Sequence, residues 1–239
     1  MNTVKIDKKA TRMVAHRGLS GIETENTNAA FIAAANRSYY GIETDIHKTK
    51  DGSFVLIHDA TLERVGGESI NVEEVSLSVS KSVTLFDKDG TKQRGDLAVS
   101  TLNNYVNICK KYEKHCVLEL KSEFTAEEIE RIIEIIKELE YLDGVTFISF
   151  KIDNLIKVRE LLPHQSIQYL FSQYTDEKVE LMKTYRLDAD IAHSALTKER
   201  IDELHKANIK VNCWTVDNKE RAEELVGYGV DFITTNILE

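Results

Sequence analysis

Short β-branched segments alternate with longer segments of helical period along most of the chain. In the longer segments apolar residues recur every three or four positions, as at Ile129, Ile132 and Ile136, which is the spacing of one face of an α-helix. The short segments have the length and residue types of buried strands. Strand, helix and strand repeated with short connections predicts parallel strands joined by crossover helices.

The repeat predicts eight strands, the number that closes a parallel barrel. We expect these strands at residues 13–16, 40–46, 117–121, 145–149, 167–171, 188–192, 211–215 and 230–234. We expect helices at residues 26–37, 125–139, 152–162, 176–185, 198–206 and 219–228. The predicted fold is therefore α/β, a TIM (β/α)8 barrel. An open doubly wound sheet is the alternative, but the chain has neither a Gly-x-Gly-x-x-Gly sequence nor a phosphate-binding loop motif.

One span, residues 60–99, departs from the repeat. It contains Gly66-Gly67, Asp89-Gly90 and a serine-rich piece at residues 76–82, all of which favour turns. We therefore expect a small insertion between the second and third barrel strands, built from turns and short strands.

Capping residues mark the starts of the predicted helices. Thr125 precedes Glu128 by three positions, which is the spacing of a capping box. Asp176, Thr197 and Asp217 are candidate N-caps of later helices.

Length and charge narrow the possible classes of protein. A chain of 239 residues with 42% hydrophobic residues can form one large core, so we expect a single domain over residues 1–239. The net charge of -9 argues against a nucleic-acid partner or an anionic membrane surface. The polar start at residues 1–12 and the lack of an 18-residue apolar run predict a cytoplasmic protein without an integral membrane segment. Its three cysteines, Cys109, Cys116 and Cys213, are odd in number and are expected to be reduced.

Two carboxylates stand out in the second predicted strand. Glu43 and Asp45 are two residues apart, so both side chains leave the same face. Paired buried carboxylates repel each other unless a cation or water compensates them, and a hard divalent ion does this well. Glu119 and Lys121 repeat the two-residue spacing in the third strand. Active sites of parallel barrels lie at the carboxyl ends of the strands, where all these residues are expected.

Two histidines are expected at the same edge. His16 ends the first predicted strand and precedes Arg17, while His58 precedes Asp59, which can orient its ring. A single histidine at a strand end is usually a polar rim residue, but two beside clustered acids favour catalysis. The alternative is a structural charge network in which Glu43 and Asp45 pair with Arg17 and Lys121.

Other polar or aromatic residues receive weaker interpretations. Trp214 ends the seventh predicted strand and is expected to form a wall of the pocket, although a lone tryptophan is as often a structural plug. His193 follows the sixth strand and is an alternative substrate contact, whereas His47 and the remaining histidines are interpreted as having no role. Glu25-Asn26-Thr27 is expected to cap the first helix, with Glu25 as an alternative outer group of a metal site.

The ordered motifs make the chemistry more specific. They are Ala15-His16-Arg17-Gly18, Glu25-Asn26-Thr27, Ile42-Glu43-Thr44-Asp45, His58-Asp59, Leu118-Glu119-Leu120-Lys121 and the ending Trp214-Thr215-Val216 with residues 229–236. With these motifs, nearly the whole chain resembles the glycerophosphodiester phosphodiesterase family.

That resemblance implies roles for particular residues. It implies that His16 and His58 are the catalytic acid and base, that Glu43, Asp45 and Glu119 hold one divalent metal ion, and that Arg17 and Lys121 bind phosphate. Oxygen ligands favour Mg2+ or Ca2+, with Mn2+ a further candidate. The implied substrate is a small-molecule glycerophosphodiester, cleaved to sn-glycerol 3-phosphate and an alcohol.

The sequence leaves some properties open. Thr24 stands where the family often has proline, and residues 62–99 match the family weakly, so the headgroup is not specified. Two alternatives remain: a related phosphodiesterase acting on lysophospholipid or sphingolipid headgroups, and a non-catalytic phosphoglycerol-binding protein. The oligomeric state is also not predicted.

Overall fold

The strands close into a barrel in a computed structural model that describes residues 2–239. They are β1 (Arg12–Ala15), β2 (Gly41–Lys48), β3 (Phe54–Leu56), β4 (Ser100–Thr101), β5 (His115–Leu120), β6 (Val145–Ser149), β7 (Ser166–Phe171), β8 (Asp188–Ala192), β9 (Val211–Trp214) and β10 (Phe232–Thr235). β1, β2 and β5 to β10 are parallel, and β1 pairs with both β2 and β10. The predicted eight-stranded barrel is confirmed.

The helices pack outside the barrel. They are α1 (Asn28–Ala35), α2 (Glu63–Gly66), α3 (Leu77–Ser82), α4 (Leu102–Lys111), α5 (Ala126–Glu138), α6 (Ile152–Leu161), α7 (Asp176–Tyr185), α8 (Lys198–Lys206) and α9 (Lys219–Tyr228). The six predicted helices are present with ends shifted by two residues or fewer. Helix α4 was not predicted, and it supplies the crossover between the insertion and β5. No helix within residues 2–239 is both long enough and apolar enough to cross a membrane.

Alternation along the strands separates two apolar regions. Leu118 and Leu120 of β5 belong to the large core between barrel and helices, whereas Val117 packs inside the barrel. The inner cluster also contains Val14, Ile148, Leu170 and Phe232. An apolar cluster therefore lies inside the barrel. The polar and charged side chains that point inward at its carboxyl end depart from this pattern, and they form the candidate site.

The insertion differs in part from its prediction. It lies between the second and third barrel strands as expected, but it contains the short helices α2 and α3 and a 3-10 turn at Val72–Glu74 besides short extended pieces. Helices of four to six residues are too short to show a hydrophobic period, which explains the error. Strand β3 runs antiparallel to the end of β2 and β4 pairs with β3, so this hairpin returns the chain to the barrel rim at His58.

Helix capping was predicted correctly at two of four positions. Thr125 and Glu128 form the capping box of α5, and Thr197 caps α8. The N-caps of α7 and α9 are instead Thr175 and Asn218, so the predictions of Asp176 and Asp217 were wrong by one residue. The three cysteines are free and buried, as predicted.

Candidate active site

Three buried carboxylates meet at the carboxyl end of the barrel. Asp45 of β2 is directly opposite Glu119 of β5 in the parallel register, and Glu43 lies two residues before Asp45 on the same face. One carboxylate oxygen from each lies within 4.8 Å of the others. Their exposed fractions are 3% for Glu43, 1% for Asp45 and 7% for Glu119. The spacing inferred from sequence thus produces a compact acid cluster.

The cluster is electrostatically unbalanced. Burial, with the charges of Asp45 and Glu119, raises the pKa of Glu43 well above its ordinary value. Burial also raises the pKa of Glu119 to about 8, with a further contribution from Asp45. Burial opposes ionisation of Asp45 too, but Arg17 and Lys121 outweigh it and lower the Asp45 pKa to about 2. A further cation is therefore needed to ionise all three acids together.

The donor set fits a hard divalent cation. All three residues offer carboxylate oxygens, the ligands that Mg2+ and Ca2+ prefer. Asp45 Oδ1 is buried and has no hydrogen-bond partner within residues 2–239. Lys121 Nζ lies 3.6 Å from Asp45 Oδ1 and 3.1 Å from Glu119 Oε1. An unsatisfied oxygen inside an acid cluster is the feature expected of a metal ligand.

The turn after β1 secures Glu43. Arg17 has a left-handed backbone with φ +54°, unusual for a residue other than glycine, and its backbone N–H donates to Glu43 Oε2 at 2.8 Å. At Gly18, φ is +76° and a Cβ would lie 2.7 Å from the backbone of Ala30. Only glycine fits there, because α1 approaches the turn so closely.

The Glu25-Asn26-Thr27 segment supports both Asp45 and Arg17. Thr27 caps α1, as expected. Asn26 donates through Nδ2 to Asp45 Oδ2 at 2.8 Å. Glu25 Oε1 accepts from Arg17 Nη1 at 2.9 Å, so Glu25 helps to fix the position of the Arg17 guanidinium.

A chain of hydrogen bonds orients His16. Its Nε2 lies 4.0 Å from Glu43 Oε2, and its Nδ1 lies 2.8 Å from Asn236 Oδ1. Asn236 in turn donates through its backbone N–H and its Nδ2 to the carboxylate of Asp217. The Asn236 amide is thereby fixed with its oxygen toward the ring, which leaves His16 Nε2 free to face the acids.

His58 is held from two sides. Its Nδ1 lies 2.7 Å from Asp59 Oδ1, and Asp59 also accepts from Arg64 Nε at 2.6 Å. On the other side, His47 Nε2 lies 3.4 Å from the His58 carbonyl oxygen, and His47 Nδ1 lies 2.9 Å from Glu73 of the insertion. Burial lowers the pKa of both His16 and His58, which favours the neutral form of both rings.

The two histidines line one small cavity of about 110 Å³. Among the predicted site residues, Arg17, Glu43, Glu119 and Trp214 also line it, and apolar walls come from Ile148, Phe150 and Leu170. Asp45 and Lys121 are not among the lining residues: Asp45 Oδ2 lies 3.4 Å from Arg17 Nε, and the Lys121 side chain, which is 16% exposed, contacts Glu119. Trp214 donates through Nε1 to the Asp190 carbonyl at 3.1 Å and packs edge-on against Phe150.

A wider groove of about 610 Å³ shares His16 and Arg17 with the cavity and extends past Lys88.

Several residues of the site were not predicted from sequence. Asp190 lines the cavity, and its two-residue spacing from Asp188 in a strand is the signal that identified Glu43 and Asp45. His47 was interpreted as having no role, yet it contacts the His58 backbone. Nothing in the sequence pairs Asn236 with His16, because 220 positions separate them. His193 does not line the cavity, and its carbonyl accepts from Arg221.

Comparisons with known proteins agree with this architecture. The model of the glycerophosphoryl diester phosphodiesterase family matches residues 16–239. A glycerophosphodiester phosphodiesterase of Caldanaerobacter subterraneus is 31% identical over 95% of this chain and 94% of its own length. A lysophospholipase D of Rattus norvegicus is 42% identical, but over only 27% of this chain and 21% of its own length.

A solved structure has the same fold. A phosphodiesterase of Oleispira antarctica, in complex with its product sn-glycerol-3-phosphate, superposes with a TM-score of 0.87, 24% identity and coverage of 94% of this chain and 92% of that chain. The family model and the Caldanaerobacter relative each match almost the whole sequence. The chain therefore belongs to the glycerophosphoryl diester phosphodiesterase family.

Proposed function

We propose that this protein is a metal-dependent phosphodiesterase that cleaves glycerophosphodiesters to sn-glycerol 3-phosphate and an alcohol. Family membership makes it a phosphoric diester hydrolase. The observation that carries the proposal is the single cavity lined by His16, His58, Arg17 and two members of the acid cluster. These are the groups needed to bind a phosphodiester, neutralise its charge and move two protons.

Glu43, Asp45 and Glu119 would hold the divalent ion. When bound, that ion would supply positive charge at the phosphoryl oxygens and lower the pKa of a coordinated hydroxyl. Mg2+ and Ca2+ suit the all-oxygen donors, and Mn2+ is a further candidate. The unpartnered Asp45 Oδ1 supports this assignment.

Arg17 and Lys121 would bind the substrate phosphate. Arg17 Nε is buried without a hydrogen-bond partner within the described part of the chain, although it lies 3.4 Å from Asp45 Oδ2. A guanidinium held by Glu25 at one nitrogen keeps other N–H groups for phosphate oxygens. Lys121 adds a positive charge beside Glu119. Trp214 would contact the organic part of the substrate.

The two histidines have different surroundings, which suggests different roles. His16 donates from Nδ1 to a neutral amide, so its free Nε2 suits a general base. His58 contacts the Asp59 carboxylate, which raises its pKa against the larger lowering by burial, so of the two rings we assign His58 as the general acid for the leaving alkoxide. We favour the adjacent glycerol hydroxyl as the nucleophile, which would form a cyclic phosphate before water opens it.

The test is release of glycerol phosphate from a panel of glycerophosphodiesters, with and without exhaustive chelation. We expect turnover of the panel, loss of turnover on chelation and recovery with Mg2+, Ca2+ or Mn2+. Binding of the diesters without turnover under any metal would favour the non-catalytic phosphoglycerol-binding protein. Full activity of protein shown by elemental analysis to contain no metal would contradict the assignment of the acid cluster.

Other properties extend this proposal. We treat residues 1–239 as one catalytic domain and expect a cytoplasmic protein whose partners are small molecules and not nucleic acid. A lysophospholipid substrate is the second candidate, favoured by the local similarity to the rat lysophospholipase D.

A further inference from the structure

An unpaired carboxylate lies across the barrel mouth from the acid cluster. Asp190 of β8 is 2% exposed, and its Oδ1 has no hydrogen-bond partner among residues 2–239. Strand β8 is four strands from β2 in either direction around the barrel, so Asp190 faces Glu43 and Asp45 from the opposite wall. A buried polar atom without a partner costs free energy and calls for an explanation.

The neighbours of Asp190 are committed to other partners. Asn212, its register partner on β9, donates to Gln168 at 3.1 Å and accepts from Thr234 at 3.2 Å. Trp214 donates to the backbone carbonyl of Asp190 and not to its carboxylate. Asp188, two residues earlier, accepts from the Lys210 backbone N–H at 2.8 Å and so is satisfied within the fold. The Asp190 carboxylate is therefore available to a ligand.

The space beside Asp190 is narrow. The cavity volume is about 110 Å³, and its wall on this side is formed by Leu170, Phe150 and Trp214. The rings of Phe150 and Trp214 meet at 5.4 Å and 81°. Since a cavity of about 150 Å³ holds one benzene ring, this volume suits a three-carbon polyol.

We infer that Asp190 accepts a hydrogen bond from the glycerol hydroxyl farthest from phosphorus and thereby restricts the enzyme to substrates in which that hydroxyl is free. The inference rests on the proposed function, in which Arg17 and Lys121 hold the phosphate near β1 and β5. The glycerol carbons then extend toward β8. An acyl group on the terminal hydroxyl would remove the donor and add bulk beside Asp190, so lysophospholipids would be poor substrates.

The first experiment uses the wild-type protein. We would compare kcat/KM for glycerophosphoethanolamine, for its analogue in which the terminal hydroxyl is replaced by hydrogen, and for 1-acyl lysophosphatidylethanolamine. A site that hydrogen-bonds a hydroxyl rejects the analogue lacking it, so we expect kcat/KM to fall by about 30-fold or more for the deoxy analogue. We expect a larger fall for the acylated compound. Values for all three within threefold would overturn the inference.

The second experiment assigns the discrimination to Asp190. Asp190→Leu keeps the side-chain size and removes the acceptor, and Asp190→Ala serves if the leucine variant does not fold. In either variant kcat/KM should fall for glycerophosphoethanolamine but not for the deoxy analogue, so their ratio should approach one. Asp188→Asn is the matched control, because it removes a carboxylate from the same strand outside the cavity. In this variant the ratio of kcat/KM for glycerophosphoethanolamine to that for the deoxy analogue should equal the wild-type ratio.

The outcomes separate this inference from the proposed function. If wild-type protein cleaves none of the diesters with any metal, the proposed function fails. If it cleaves them but the ratio is unchanged by both substitutions at Asp190, the phosphodiesterase assignment stands and the role of Asp190 is wrong.

Discussion

The two ends of the barrel both collect charged and aromatic side chains, but the contacts that these side chains make differ between the two ends. At the amino end the Arg12 guanidinium lies 4.6 Å from the centre of the Tyr40 ring and 5.7 Å from that of Phe232. Tyr40 stacks on His115, whose Nε2 lies 2.8 Å from the Thr146 hydroxyl. These contacts join residues from neighbouring strands around the amino end of the barrel.

At the carboxyl end like charges are brought together and key atoms lack partners. Asp45 Oδ1, Arg17 Nε and Asp190 Oδ1 are buried and unpaired within residues 2–239. The hydrogen bonds present there run from supporting residues, such as Asn26 and Asn236, to the acids and His16. Charge or aromatic content alone therefore does not distinguish a functional end from a structural one. What distinguishes the carboxyl end within residues 2–239 is a group of buried acidic and basic atoms that lack partners inside a hydrogen-bonded scaffold.

The largest effect is expected from the acid cluster. Glu43→Gln should lower kcat by about a thousandfold, because metal-derived charge stabilisation of the transition state is lost. Metal-free protein should unfold at the same or a higher temperature, since one of three repelling carboxylates is removed. Initial rates test the expected fall in kcat, and thermal unfolding after chelation tests the expected stability of the metal-free protein. The control is Glu130→Gln on the exposed face of α5, which should change neither kcat nor the unfolding temperature. If Glu43→Gln lowers stability but retains turnover, the acid cluster has a structural role.

A somewhat smaller effect is expected from the histidines. His16→Ala and His58→Ala should each lower turnover by about a hundredfold or more while the fold remains intact. With a nitrophenyl diester that retains the glycerol hydroxyl, His58→Ala should regain much of its rate, because a good leaving group needs no acid. His16→Ala should stay slow and His193→Ala should resemble wild type. Equal rescue of both alanine variants would refute the assigned roles.

The supporting residues should have a more moderate effect. Asn236→Leu removes the acceptor that orients His16 and should lower kcat about tenfold, with KM changed less than twofold. Asn236→Gln keeps a side-chain amide that can accept from His16 and donate to Asp217, and should recover part of the rate. If the two variants lose activity equally, orientation through this atom is not the cause.

The smallest effect on activity is expected at the amino end, where the readout is stability. Burial, aided by the charge of Arg12, lowers the pKa of His115 to about 4. Between pH 6.5 and 4 the unfolded chain binds the proton and the folded chain does not, so stability is full above pH 6.5 and falls as pH drops toward 4. The loss from this group is about 3 kcal/mol. His115→Gln should flatten this dependence in urea unfolding at several pH values and leave kcat/KM at neutral pH unchanged.

Local patterns predicted the barrel and the residues that carry charge at its carboxyl end. Strand alternation determines which side chains share a face, so Glu43 with Asp45 and Glu119 with Lys121 can be paired from sequence. The same rule applied to Asp188 and Asp190 would have identified a second inward-facing acidic pair. The alternation rule could not have shown which of the two carboxylates has a hydrogen-bond donor within the fold. The backbone N–H that donates to Asp188 belongs to Lys210, which lies in the connection before β9.

The unpredicted parts depend on contacts between distant segments. Asn236 reaches His16 only after the barrel closes between β1 and β10. Glu73 reaches His47 because the insertion folds over the end of β2, and the short helices of that insertion have no readable period. Helix N-caps were missed by one residue where two polar residues adjoin, as at Asp217 and Asn218.

The most direct test of the central claim is to locate a bound ion. Crystals of the wild-type protein soaked in Mn2+ would be examined by anomalous difference maps and compared with crystals of Asp45→Asn. The account predicts one strong peak within bonding distance of carboxylate oxygens of Glu43, Asp45 and Glu119, and a much weaker peak in the variant. A peak elsewhere, or no peak at this cluster in active wild-type protein, would contradict the claim that the carboxyl end of the barrel is a metal-dependent phosphodiesterase site.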